Sequence, residues 1–169
     1  MRLCFLHGLD SSPYGTKSSL LRKHYPECVI PALPPDLNER LHILETSIKS
    51  PLLIVGSSLG GLTALMFADL YPERVKALVL MAPAVGCSDP GLFSREKEEI
   101  CKSVYVPAGI RSIIIAGKKD ELIPLDAIEA MIRRSPEPAN IELHAVDDDH
   151  NLHQSLDLML QSIEKLNKS

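Results

Sequence analysis

Leu52-Leu53-Ile54-Val55-Gly56-Ser57-Ser58-Leu59-Gly60-Gly61 is the stretch whose reading decides the fold of this 169-residue chain. An unbroken apolar run of strand length ends in small residues. It passes at once into Leu62-Thr63-Ala64-Leu65-Met66-Phe67-Ala68, which reads as a buried helix. A strand entering a helix through so short a turn crowds the backbone, so only residues with little or no side chain fit at Gly56 and Gly60. Gly56-x-Ser58-x-Gly60 therefore has the pattern of a nucleophile elbow, which holds a serine hydroxyl clear of the backbone at a strand end. Phosphate-binding loops also join strands to helices. A dinucleotide loop, however, needs a second glycine where this chain has Ser58, and a P-loop needs a lysine where it has Leu62. The remaining alternative is that the small residues only let a helix pack close on a strand.

Outward from this stretch the chain keeps one rhythm. Leu3 to Leu6, Cys28 to Ile30, Val75 to Met81, Arg111 to Gly117 and Ile141 to Val146 read as further strands. Helices are expected over Lys17 to Tyr25 behind a cap at Thr16, and up to Lys49 behind Asp36 or Asn38. Two more are expected from Pro124 to Arg134 and from Asn151 to Leu166. Such alternation predicts an α/β protein, a three-layer sandwich with a mainly parallel sheet of about six strands. Residues 84–109 break the rhythm with Gly86, Pro90, Gly91, Pro107 and a charged run, and are expected to form a short cap-like insertion over the strand ends. The whole of 1–169 reads as a single domain.

With 45% hydrophobic residues and a formal net charge of −4, the chain has no basic face, so neither a nucleic-acid partner nor an anionic membrane is implied. Cys4, Cys28, Cys87 and Cys101 lie far apart, without the cysteine and histidine spacing of a zinc site, and are expected to be reduced. The first apolar run is too short for a signal peptide, and no later run approaches the roughly 18 residues of a membrane span. A soluble, cytoplasmic protein is expected. Oligomeric state is not legible.

A serine needs a base to take its proton and a third group to orient that base. Open parallel sheets collect such groups at the carboxyl ends of their strands. Asp120 lies just past Gly117 and His150 just past Val146, which gives the chain order Ser58, Asp120, His150. His153 is the alternative base. Asp147, Asp148 and Asp149 are alternative acids, poorly placed to reach back to a neighbouring ring and otherwise readable as a solvated turn. His144 falls inside a strand, and His24 and His42 on solvated helix faces. The oxyanion of an attacked carbonyl needs preorganised N–H donors. The elbow offers the amide of Leu59, and the loop after the first strand, His7-Gly8-Leu9, offers that of Leu9, with His7 as a structural residue of the loop.

Taken together these residues resemble an α/β-hydrolase, and within that superfamily the small bacterial esterase-like YqiA family. The resemblance rests on His7-Gly8-Leu9-Asp10-Ser11-Ser12-Pro13 with Lys17, Gly56-Ser57-Ser58-Leu59-Gly60-Gly61, Gly117-Lys118-Lys119-Asp120 with Ile123-Pro124, and Asp149-His150. It implies a serine hydrolase for esters or thioesters that uses Ser58, Asp120 and His150 with no metal or cofactor, on a core trimmed of two leading strands. Two positions depart from the family pattern. Leu9 stands where an aromatic is usual, and Asp147-Asp148-Asp149 replace a glycine-rich approach to the histidine.

The expected substrate is a small ester or thioester in a pocket lined by Leu9, Tyr14, Pro83, Val85, Phe93 and Tyr105, each of which could equally be ordinary packing. No cationic cluster marks a phosphorylated or coenzyme A substrate, though Lys118 and Lys119 near the triad could serve one. Rival readings are a hydrolase fold used as a non-catalytic binding module, or the same triad used on peptide or carbon–carbon bonds.

Overall fold

Side chains alternate between the two faces of a strand, so the continuous apolar runs require both faces of the sheet to be covered. The structure is a computed structural model in which residues 2–87, 94–138 and 140–168 are described. It contains five parallel strands lying side by side in chain order: β1 (Leu3–Leu6), β2 (Leu52–Ser57), β3 (Val75–Met81), β4 (Arg111–Gly117) and β5 (Ile141–Val146). The helices are α1 (Thr16–His24), α2 (Leu37–Ser47), α3 (Leu59–Leu70), α4 (Arg95–Ser103), α5 (Leu125–Arg133) and α6 (Leu156–Asn167).

Alternation sorts the strand residues into two cores. Phe5, Val55, Val79 and Ile115 pack with Leu21 of α1 and with Met159 and Ile163 of α6. Leu6, Ile54, Leu78 and Ile114 pack with Leu44 of α2, Leu62 and Leu65 of α3, and Met131 of α5. Each such side chain contributes about 1.5–3 kcal/mol when fully buried. β2 is buried along its whole length, so the strand that carries the elbow is among the most firmly held.

The sheet has five strands rather than about six. Cys28-Val29-Ile30 makes only one parallel bridge, Val29 to Cys4, through the Phe5 N–H to the Val29 carbonyl and the Val29 N–H to the Leu3 carbonyl, both at 2.9 Å. Pro31 has no N–H with which to extend the ladder. Gly15, not Thr16, occupies the cap position of α1, while Asp36 caps α2 by accepting from the Glu39 N–H at 2.9 Å. The last helix begins at Leu156 instead of Asn151. Leu152 takes a left-handed conformation (φ 52°, ψ 37°) ahead of a 3-10 turn over His153–Ser155. No helix among the described residues is long and apolar enough to cross a membrane.

Candidate active site

Parallel strands end on one side of the sheet, and the residues after β1, β2, β4 and β5 meet there. Ser58 follows β2 with φ 53° and ψ −118°, a conformation that a non-glycine residue adopts only under constraint. The constraint is visible. The Ser58 N–H donates to the Met81 carbonyl at 2.9 Å, and its own carbonyl accepts from the Gly61 N–H at 2.9 Å and the Ala84 N–H at 3.0 Å. A Cβ on Gly60 would lie 1.9 Å from the Leu6 carbonyl oxygen, and one on Gly56 would lie 2.6 Å from that of Gly60. Only glycines let β1, β2 and α3 approach so closely.

His150 and Asp120 complete a chain of hydrogen bonds from this serine. The His150 Nδ1 is 2.8 Å from Asp120 Oδ2, and its Nε2 is 3.0 Å from Ser58 Oγ. A carboxylate can only accept, so the Nδ1–H donates to Asp120 and Nε2 is left to accept from the serine hydroxyl. The Asp120 side chain is 1% exposed, and its Oδ1 accepts from the N–H groups of Leu122 at 2.9 Å and Ile123 at 2.8 Å. The carboxylate is thereby oriented before the histidine reaches it.

Of the three aspartates before His150, Asp147 and Asp149 are exposed, as in a solvated turn, and only Asp148 departs from that reading. Asp148 is buried, and its carboxylate accepts from the N–H groups of Asp149 at 2.9 Å and Gln154 at 3.0 Å and from the Ser155 hydroxyl at 2.9 Å, tying the histidine loop to the 3-10 turn. Asp149 accepts from the Asn151 N–H at 2.8 Å, and Asp147 pairs with Lys119 at 2.9 Å. Lys17 secures the same loop from α1, its Nζ donating to the Asn151 carbonyl at 2.5 Å. Burial lowers the Lys17 pKa, against the opposing pull of Asp148 and Asp149.

The loop after β1 is held from behind. His7 is buried, with its Nδ1–H donating to the Gly8 carbonyl at 2.8 Å and its Nε2 accepting from the Leu33 N–H at 3.1 Å. Both ring nitrogens are engaged in the backbone, so His7 is a structural residue of the loop. A Cβ on Gly8 would stand 3.3 Å from that of Ser58, which sets the loop backbone directly beside the serine.

Known proteins share this framework. A family model described as the alpha/beta hydrolase fold matches residues 31–105. The structure superposes on alpha/beta hydrolase domain-containing protein 10 from mouse with a TM-score of 0.78 at 18% identity, covering 98% of this chain and 89% of the other. The fold is that of the α/β-hydrolases. A putative hydrolase from Agrobacterium vitis S4 superposes with a TM-score of 0.75 at 20% identity, over 98% of this chain and 87% of the other. A homoserine O-acetyltransferase of Thermus thermophilus is 60% identical over 30 residues. These are 18% of this chain and 8% of that enzyme, so the chain matches only a small part of that relative's length.

In this α/β-hydrolase fold a cleft of about 770 Å³ opens at Ser58 and His150. Its apolar lining includes Phe5, Leu9, Leu59, Ala84, Leu122 and Ile123, and its polar lining includes Ser11, Ser12, Thr16, Lys17 and Asn151. Of the residues expected to line a pocket, Leu9 does so. Tyr14 is 84% exposed and stands outside the cleft wall, while Pro83 and Val85 are buried among the packing residues. Tyr105 lines a separate groove, its hydroxyl donating to Asp69 Oδ1 at 2.6 Å. Phe93 lies outside the described residues. His153 sits on the cleft wall within the 3-10 turn, and the ring between Ser58 and Asp120 is that of His150. His144 is an edge residue of β5 paired with Glu142 at 2.8 Å.

From the sequence Arg40 is not singled out, and Asp148 stands only beside Asp147 and Asp149 as an alternative acid, not as the buried support of the histidine loop. Arg40 did carry a signal: it falls three residues after Leu37 and four before Leu44, on the apolar stripe of α2 where a charge is out of place. Asp148 carried none, being the middle of three identical residues.

Proposed function

We propose that the protein is a serine hydrolase, of the YqiA-like small esterase kind, that cleaves small carboxylic esters or thioesters through an acyl-enzyme on Ser58. The observation that carries this reading is the hydrogen-bonded series Asp120, His150, Ser58 at 2.8 and 3.0 Å, open to the cleft. His150 Nε2 takes the hydroxyl proton as Ser58 Oγ attacks the carbonyl carbon. The amides of Leu59 and Leu9 receive the charge that develops on the carbonyl oxygen. Asp120 steadies the imidazolium, which then protonates the departing alcohol or thiol as its bond to the acyl carbon breaks. A water, deprotonated by the same nitrogen, attacks the acyl-serine, and collapse returns the acid and the free hydroxyl.

The apolar residues of the cleft suit a short acyl chain. In this reading α4 serves as a partial cap, with its Lys97 on the cleft wall. Labelling with a fluorophosphonate tests the proposal. Wild type is expected to label and to hydrolyse p-nitrophenyl acetate, and Ser58→Ala to do neither, with a loss on the order of 10⁶ in kcat by analogy with triad deletions in a serine protease. A folded wild type inert to the probe and to a chain-length series of esters would refute it and favour a binding module.

A further inference from the structure

Arg40 is fully buried, and backbone oxygens surround its guanidinium. Its Nε–H donates to the Pro34 carbonyl at 2.5 Å and its Nη1 to that of His7 at 2.9 Å, while its Nη2 lies 3.5 Å from the Gly8 oxygen. Among the described residues no carboxylate lies within ion-pair distance of it. A buried charge without a counter-ion is expensive, and an apolar side chain of similar volume would fill the place more cheaply. Burial pushes the Arg40 pKa down to about 10, which leaves the group charged at neutral pH.

The carbonyls it reaches give the charge a use. The Gly8 carbonyl and the Leu9 N–H belong to one peptide group, and in a planar trans peptide the two point in opposite directions. The His7 Nδ1–H and Arg40 Nη2 approach the oxygen of that group, at 2.8 and 3.5 Å. Its plane is therefore set from behind, and the Leu9 N–H is turned away from the arginine. The neighbouring peptide, with the His7 carbonyl on Arg40, is set in the same way. A Cβ on Gly8 would lie 3.8 Å from Ser58 Oγ, so these peptide groups border the place where a substrate carbonyl would sit.

We infer that Arg40 is a positioning residue for oxyanion stabilisation: it orients the His7-Gly8-Leu9 peptides and polarises them, so that the Leu9 N–H meets the developing negative charge with added positive character. The inference rests on the hydrolase reading above. An interaction of this kind grows only as the charge appears, so it acts on kcat and leaves substrate binding almost untouched.

The test compares wild type, Arg40→Met and Arg40→Lys in kcat and KM for p-nitrophenyl acetate, and in the inhibition constant of a boronic acid that forms a tetrahedral adduct with the serine. Rates are normalised to the folded fraction from circular dichroism. Arg40→Met should lose on the order of 10- to 100-fold in kcat, less than the about 10²–10³ expected when an oxyanion donor is deleted outright, with KM nearly unchanged. Boronate affinity should fall in parallel, which a purely structural role would not require. Arg40→Lys keeps the charge but not the fork of donors, and should fall between the two. If Arg40→Met does not fold, Arg40→Lys decides, with reduced kcat at constant KM and weaker boronate binding expected. An active wild type with variants within about threefold in kcat, or with losses confined to KM, overturns this inference alone. A wild type inert to ester and fluorophosphonate overturns the hydrolase reading, and this inference with it.

Discussion

Replacing Asp120 by Asn changes one atom in a fully enclosed side chain, and the structure says which way the new amide must face. Asp120 Oδ1 accepts two backbone N–H bonds, from Leu122 at 2.9 Å and Ile123 at 2.8 Å. The Asn carbonyl oxygen has to stay there, because an NH₂ group would oppose two donors. The NH₂ then occupies the position of Oδ2, 2.8 Å from His150 Nδ1. A donor at that place forces Nδ1 to accept, so the ring proton moves to Nε2 and faces the Ser58 hydroxyl, which can no longer give up its proton. The expected loss is on the order of 10⁴ in kcat, about 5.4 kcal/mol of barrier, as found for the same change in a serine protease. Thermal stability should change little, because the two backbone bonds survive. Initial rates with p-nitrophenyl acetate measure the loss, and ¹⁵N spectra of the His150 ring show which nitrogen carries the proton. A folded variant that keeps its Nδ1 proton, or that loses less than about tenfold in rate, would refute the reasoning and point to another acid.

Two further outcomes follow from close contacts around the same site. A Cβ on Gly117 would meet the backbone oxygens of Asp148 at 2.5 Å and Asp149 at 2.7 Å, so Gly117→Ala must push the histidine loop away from β4. A displacement of that kind should cost about 10² or more in kcat and lower the melting temperature, and wild-type kinetics would contradict it. For His7, burial first and the Arg40 charge as a further cause lower the pKa below 6.5, with its bond to the Gly8 carbonyl opposing them. Below pH 6.5 the unfolded chain takes up a proton that the folded chain still refuses. Stability is therefore full above that pH and declines as the pH falls from it towards the lower folded value. Urea titrations should show this decline in wild type and a flatter profile in His7→Asn, and equal slopes would count against the assignment.

What the sequence determined by itself was whatever follows from local rules. Gly56, Ser58 and Gly60 could be read because a strand-to-helix turn tolerates few residue types. β3 and β4 could be bounded because their apolar runs stop where the sheet stops, and β5, at the sheet edge, because apolar residues alternate with Glu142 and His144 along it. Asp120 and His150 stood out because parallel strands deliver their following residues to one side of the sheet, which makes distance past a strand end a measure of spatial proximity. Cys28-Val29-Ile30 obeyed the same composition rule and formed only a bridge, since pairing also needs an N–H that Pro31 lacks. Tertiary structure alone decided what depends on groups far apart in the chain. Tyr14 and Tyr105 read as pocket residues, yet lie elsewhere because the packing of α1 and α4, not aromatic character, determines what faces the cleft. Arg40 reaches across 33 residues to the His7 carbonyl, and Lys17 across 134 to that of Asn151. Such contacts carry no period and no spacing. Long side chains meet distant backbone oxygens only after the two cores have brought the helices down on the sheet, and so the supports behind the site became visible only in three dimensions.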